Sequence, residues 1–291
     1  MNYSPLRYPG GKNKIAPLVR LVIEKTGYEH ITYIEPFAGG AAVALNLLMN
    51  NVVDRIVIND YDKAVYSFWR ALKEEPEKFI SLIEKTPLTI DEWKNQKAIY
   101  SAQHNKYSIE LGFSAFYLNR TNRSGILGAG PIGGQHQNGN YDITARFNRD
   151  ALIHRIRNIV AQKDRIIIYN KEIRSFIKHM IPKYQDNAFV YFDPPYYNKG
   201  QRLYKNFLSP SDHADIAQCI IDNVDCQWII TYDDVPQVNT IYPASFIKRR
   251  YTLNYSAGLK GRGSEVIVFK SPMLLPSNEE IHRYMPNFDL V

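Results

Sequence analysis

Asp193-Pro194-Pro195-Tyr196 follows the apolar run Ala188-Phe189-Val190-Tyr191-Phe192, and the junction between the two decides the fold. The run reads as a buried strand. Two consecutive prolines offer no N–H to a ladder, so the strand stops there. Pro195 holds Pro194 extended and stiffens the turn. A carboxylate, a rigid donor-free turn and an aromatic ring therefore meet at the carboxyl end of a strand, the edge at which open α/β sheets bind ligands.

That set suits an exocyclic amine of a nucleobase. Such an amine is a poor nucleophile because its lone pair is delocalised into the ring. Two acceptors facing its hydrogens localise the pair: the Asp193 carboxylate and the Pro194 carbonyl. Tyr196 offers a flat face for an extruded base. The effect is electrostatic stabilisation by preplaced acceptors. The plainer reading is a Pro-Pro turn whose Asp ends a strand and whose Tyr packs.

Working outward, 291 residues suffice for one large α/β domain or a domain with a sizeable insertion. Hydrophobic residues at 45% and charged residues at 22% are ordinary for a globular chain. The net charge of +7, with a pI of about 9.1, suits an anionic partner. Cys219 and Cys226 form no metal signature and read as reduced thiols of a cytosolic protein. The segment Met1 to Lys12 reads as no signal peptide, and no run approaches a membrane span.

Upstream, Arg7-Tyr8-Pro9-Gly10-Gly11-Lys12 combines a flexible turn with groups that suit a pocket or a phosphate; a packed tail is the alternative. Ile31 to Gly40 reads as a strand to Glu35, a glycine turn, and then a helix. The dinucleotide fingerprint lacks its third glycine, and Glu35 would repel a pyrophosphate. A carboxylate there favours a cationic amino-acid-type ligand such as the methionyl part of S-adenosylmethionine. A second strand, Arg55 to Asn59, ends before Asp60, placed to grip ribose hydroxyls or to cap the helix from Lys63; Tyr61 beside it suits stacking on adenine.

From Glu74 to about Asp150 the periodicity predicts helices at 77–85, 91–104 and 109–118. A polar run Asn119-Arg120-Thr121-Asn122-Arg123 follows, and then a glycine- and amide-rich loop to Tyr141. Arginine forks and amide side chains of this kind suit guanine, phosphate or adenine edges; a flexible surface loop is the plainer reading. A helix to Val160, a third strand at 165–169, a helix capped by Ser211 and a fifth strand at 227–232 come next, with a final hairpin pair over 246–255 and 265–270. Lys199, Arg202, Tyr204 and Lys205 form a basic, aromatic loop suited to closing over a nucleotide.

The pieces Leu6-Arg7-Tyr8-Pro9-Gly10-Gly11-Lys12, Glu35-Pro36-Phe37-Ala38-Gly39-Gly40, Asn59-Asp60, Phe116-Tyr117-Leu118-Asn119-Arg120 with Ser124-Gly125, and Asp193-Pro194-Pro195-Tyr196 resemble, in this order, the D12 or Dam family of DNA adenine-N6 methyltransferases, the alpha group. The resemblance implies a Rossmann-like, seven-stranded α/β methyltransferase sheet with a mainly helical recognition insertion. Residues 1–73 and 160–275 would form the catalytic domain, 74–159 the DNA-recognition insertion and 276–291 a tail. It implies S-adenosyl-L-methionine as methyl donor, leaving S-adenosyl-L-homocysteine, with no metal. Tyr8, Lys12, Glu35, Phe37, Gly39, Asp60 and Tyr61 would line the cofactor pocket, which Asp193 borders. Asp193, Pro194, Pro195 and Tyr196 would hold a flipped adenine, and Arg7, Asn119, Arg120 and Arg123 would meet DNA. The partner implied is double-stranded DNA, for a monomer in the cytoplasm, associated with the nucleoid through DNA; a cognate restriction endonuclease is left open. The chain departs from the family after the third strand, where Asn170-Lys171-Glu172 stands in place of a clear acidic match.

Three rivals remain at this point. An RNA base is one substrate alternative. A protein glutamine is another, although the glutamine methyltransferases of similar architecture usually carry Asn where Asp193 stands. A DNA-binding module that kept the fold without catalysis is the third, and the intact Glu35 and Asp193 to Tyr196 weigh against it.

Overall fold

A computed structural model describes residues 3–7, 12–102, 106–197, 208–255 and 261–291. In chain order its main elements are α1 (Ala16–Glu24), β1 (Thr32–Glu35), α2 (Ala42–Met49), β2 (Arg55–Asn59), α3 (Lys63–Glu74), α4 (Pro76–Lys85) and α5 (Ile90–Ser101). There follow α6 (Ile109–Thr121), α7 (Arg149–Val160), β3 (Ile166–Tyr169), α8 (Ile173–His179), β4 (Ala188–Phe192) and α9 (Pro210–Asn223). The last are β5 (Gln227–Asp233), α10 (Pro236–Ile241), β6 (Ile247–Tyr255), β7 (Gly261–Phe269) and α11 (Asn278–His282). Two compact units result: among the described residues, the first holds 12–59 and 171–291, and the second 3–7 and 60–170.

Seven strands are described, six of them in the first unit, in the order β2-β1-β4-β5-β7-β6. The residues of β1 and β4 are buried throughout, as parallel strands covered on both faces must be. β1 pairs in parallel with both β2 and β4, and β4 with β5; β7 runs antiparallel between β5 and β6. From β1 the chain leads to β2 on one side, while β4 leads to β5 on the other. That reversal opens a crevice at the carboxyl ends of β1 and β4. Glu35 ends β1 and Asp193 follows β4, so both lie at this edge. Because β7 is antiparallel, its register sets Glu265 opposite Asp233 of β5 and opposite Tyr251 of β6, at the same edge.

Local chemistry explains most boundaries. The turn into α2 has Gly39 at φ 46° and Ala41 also at φ 46°. The first is easy for glycine, while the second strains an alanine. The cap of α9 is Ser209, not Ser211: Pro210 takes the first helical position and Asp212 completes a capping box with Ser209. Residues 276–291 form more than a tail, since Val291 pairs with the Arg250 backbone at 2.9 and 2.7 Å. Cys219 and Cys226 are buried free thiols. No helix among the described residues is long and apolar enough to cross a membrane.

The second unit is mainly helical. Its packing takes in 60–170 where the sequence suggested 74–159. The reason is aromatic: Phe68 of α3 lies 5.6 Å from Phe79 and 5.9 Å from Phe116, ring centre to ring centre, so α3 shares a core with α4 and α6. Phe147, just before α7, closes on Phe116 at 5.5 Å. α6 also runs past Leu118 to Thr121, because its last polar side chains are satisfied internally; Thr121 Oγ1 donates to the Tyr117 carbonyl at 2.7 Å. α3 is capped by Asp62, whose carboxylate accepts from Ala64 N–H at 2.7 Å, and not by Asp60.

α3 and α6 approach closely at Gly112, where a Cβ would lie 2.6 Å from the Ser67 carbonyl carbon and oxygen. Backbone cannot yield as a flexible side chain does. Gly112→Ala is expected to destabilise the protein by about 1–3 kcal/mol. Equilibrium denaturation checks this, and an unchanged midpoint would contradict the packing of these helices.

Candidate active site

The carboxyl edge of the first unit's sheet gathers charged groups from four distant segments. Lys12 lies in the helical turn that precedes α1. Its ammonium sits 3.0 Å from Asp193 Oδ1 and 2.8 Å from Glu265 Oε2. Thr231 Oγ1, on β5, donates to Asp193 Oδ1 at 2.9 Å, and the Tyr191 hydroxyl stands 2.9 Å from Thr231. Both contacts reach Oδ1. Among the described residues, Oδ2 is therefore the carboxylate oxygen that neither of these groups occupies.

Glu265 is 1% exposed and organises the other side of the group. Oε1 accepts from the Tyr196 hydroxyl at 3.0 Å, and Oε2 accepts from Tyr251 as well as from Lys12. Tyr196 is thereby fixed at its far end, with Lys12 Nζ 5.6 Å from the ring centre. The turn is held beyond it too: Tyr197 N–H donates to Asp233 at 2.8 Å, and its ring stacks on buried His213 at 4.7 Å. Pro194 is buried, and Pro195 half-buried.

Burial alone would pull Lys12 down, but Asp193, Tyr251, Tyr191 and Glu265 together raise it well above its usual range, so it stays protonated. Burial raises Asp193, against the Lys12 ammonium. Glu35 behaves differently. Burial first, and then Asp193, push its carboxyl up to about 8, against bonds from Ala44 N–H at 3.0 Å and the Tyr33 hydroxyl at 3.3 Å. Among the described residues no cation pairs with Glu35. A buried carboxylate beside another carboxylate is a place for a positively charged ligand, and the ammonium and sulfonium of S-adenosylmethionine fit that demand.

Of the expected cofactor residues, the structure brings Lys12 and Glu35 to one edge with Asp193. Phe37, half-buried, and Gly39, buried, lie on the turn that follows Glu35. Tyr8 lies outside the described residues, as do Lys199, Arg202, Tyr204 and Lys205. Asp60 and the 61%-exposed Tyr61 open the second unit. Asn170 Nδ2 bonds the carbonyls of both, at 2.7 and 3.1 Å, so its amide shapes this segment. Glu172, for its part, caps α8 through Ser175 N–H. Glu265, Thr231 and Tyr251 were missed by the sequence reading. The one available signal was an acidic residue opening an otherwise apolar strand, Glu265-Val266-Ile267-Val268-Phe269.

The groups expected at DNA lie in the second unit. Asn119 is 2% exposed, and its amide is engaged internally. It accepts Arg7 N–H at 2.6 Å and donates to the carbonyls of Arg7 and Gly125 at 2.7 and 2.9 Å. It holds Arg7 in place and does not face outward as a reader. Arg120 is half-buried and Arg123 exposed.

Glu35 sets a pH test with a definite sign. Its carboxyl rises from 4.5 to about 8 on folding, so the folded state favours the neutral form. The stability it contributes is complete below about pH 4.5 and is lost as pH rises toward 8. Glu35→Gln removes this loss. The variant is expected to melt a few °C above wild type at pH 8.5, and the gap should close at pH 5. Equal melting curves at both pH values would contradict the raised Glu35.

Comparison with known proteins bears on the same residues. The D12 class N6 adenine-specific DNA methyltransferase family matches residues 8–251. Type II methyltransferase M1.LlaDCHI of Lactococcus lactis subsp. cremoris is 26% identical over 203 residues, which cover 65% of this chain and 64% of that protein. Type II methyltransferase M.MjaIII of Methanocaldococcus jannaschii is 24% identical over 204 residues, 66% of this chain and 68% of that one. The match thus spans just under two thirds of the length of the Lactococcus relative. Among solved structures, the rRNA methyltransferase aviRa from Streptomyces viridochromogenes superposes with a TM-score of 0.41 at 12% identity over 92% of this chain and 88% of that one, too loosely to carry an argument. The family match extends from the N-terminal motif past Asp193-Pro194-Pro195-Tyr196 into β6, and on that ground the chain belongs to the D12 class N6 adenine-specific DNA methyltransferases.

Proposed function

We propose that the protein transfers a methyl group from S-adenosyl-L-methionine to the N6 amine of an adenine flipped out of a short site in double-stranded DNA. The observation that carries this reading is the Lys12–Asp193–Glu265–Tyr196 group at the end of β4, in a chain of this family. S-adenosylmethionine, when bound, supplies an electrophilic methyl group on a sulfonium sulfur. Everything else falls to the chain's own residues.

Asp193 Oδ2 and the Pro194 carbonyl accept hydrogen bonds from the two N–H groups of the amine and turn its lone pair out of conjugation. The proton that N6 must lose once the N–CH3 bond has formed passes through Asp193 Oδ2 to solvent. Lys12 and Thr231 hold Oδ1, so the carboxylate cannot rotate away from the amine. Tyr196 carries the base on its face, with its hydroxyl anchored on Glu265. Lys12 also offsets the buried negative charge of the two carboxylates it bridges. Glu35 takes the positive end of the cofactor, with Phe37 and Gly39 beside it; for its ribose and adenine the family resemblance points to Asp60 and Tyr61. Arg7, Arg120 and Arg123 meet DNA on the second unit, which serves as the recognition unit. The enzyme works as a monomer in the cytoplasm, at the nucleoid. A restriction endonuclease for the same site is its companion, a reading supported by the Type II names of the two relatives.

Asp193→Asn keeps the shape and removes the charge. It is expected to lower turnover by at least about 100-fold, with cofactor and duplex binding near wild type. Transfer of labelled methyl to duplex DNA, followed by nucleoside analysis, is the measurement. Wild-type turnover in the variant, or label anywhere but adenine N6 in wild type, would refute the assignment.

A further inference from the structure

The second unit concentrates positive charge in one place. Arg120, near the end of α6, is surrounded by other guanidinium groups. Burial first, and then Arg7, Arg155 and Arg146, pull it down to about 9. Arg7 is lowered in turn by burial and by Arg146. Among the described residues, arginine–carboxylate pairs are made by Arg20, Arg70, Arg174, Arg250 and Arg283, and by none of these four.

The cluster is built, not accidental. Asn119, next to Arg120, grips the Arg7 backbone through both its N–H and its carbonyl. Gly125 lets that backbone come close, since a Cβ there would lie 2.5 Å from the Arg7 carbonyl oxygen. One arm of each inner guanidinium is tied to a backbone carbonyl: Arg7 to Asn122 at 3.2 Å, Arg155 to Ser4 at 3.2 Å, and Arg120 to Arg146. Arg120 Nε is buried and has no hydrogen-bond partner among the described residues. Among the described residues, four like charges with an unpartnered donor between them are held together with no carboxylate to offset them.

A neutral base edge would leave that repulsion in place. Only a ligand with net negative charge offsets it, and a phosphate matches the planar forks of arginine. We propose that Arg7, Arg120, Arg146 and Arg155 form an anion site that takes a backbone phosphate of the bound duplex. The proposal rests on the DNA reading above and gives these residues a positioning task, independent of sequence. Arg123, which is exposed and outside the cluster, is left as the arginine to contact a base edge.

Arg146→Gln is the cleanest probe, because that side chain is exposed and only the backbone carbonyl of Arg146 serves Arg120. Affinity for a duplex is measured by fluorescence anisotropy between 50 and 200 mM KCl, with cofactor product present and no turnover required. The slope of log K against log[KCl] is expected to become shallower by about 0.9, equally on duplexes with and without the modified site. Arg155→Lys, which keeps the charge, should leave the slope near wild type, and Arg155→Gln should reduce it as Arg146→Gln does. Wild-type slopes in both Gln variants would overturn the proposal. So would a loss confined to the specific duplex, which would make these residues base readers. A rise in melting temperature with millimolar inorganic phosphate, together with unchanged DNA slopes, would give the site to a free anion instead. Wild-type protein that binds no duplex at any salt would sink the DNA reading itself, a result distinct from an unchanged slope.

Discussion

One ammonium between two carboxylates holds the active edge together. Lys12 comes from the N-terminal turn, Asp193 from the end of β4 and Glu265 from β7, and they meet within 3.0 Å. Buried charges are tolerated only when paired and hydrogen-bonded, and removing one partner of such a group is costly. Three parts of the chain are therefore tied to one geometry. Tyr196 and Tyr251 donate to Glu265, and Thr231 donates to Asp193, so the aromatic platform and the acceptor are set by the same charges. The contrast with Glu35 is instructive. Two of the three carboxylates share the lysine, and the third has no cation among the described residues.

The sheet explains why these residues can meet. Parallel pairing of β1 with β4 brings Glu35 and Asp193 to neighbouring strand ends, and the reversal of strand order there opens the crevice. Antiparallel β7 then returns its first residues to the same edge. A β7 laid parallel would carry Glu265 to the opposite edge, away from Lys12. The hairpin that ends the sheet thus serves the site as well as the fold.

Much of this was legible in the residues. The run 188–192 and the prolines after it placed β4 and Asp193, because apolar strands and donor-free turns act locally. Glu35 and the glycine turn placed β1 and α2 for the same reason. Glu265 was not legible, since its role arises from pairing between strands far apart in sequence. Ser209 outranked Ser211 as a cap because Asp212 completed its box, a choice settled by one residue of spacing. Asn119 looked like a reader and proved to be a brace for Arg7, a distinction that depends on burial and not on residue type. The extent of the second unit followed from Phe68, whose partners across α4 and α6 no local pattern announces.

Sequencing of modified bases in DNA from a methylation-free host that expresses this protein decides whether the Asp193 site methylates adenine. N6-methyladenine is expected at one short duplex motif, and is expected to be lost when Asp193 is replaced by Asn. Unmodified adenine in cells that contain folded, cofactor-binding protein would contradict it.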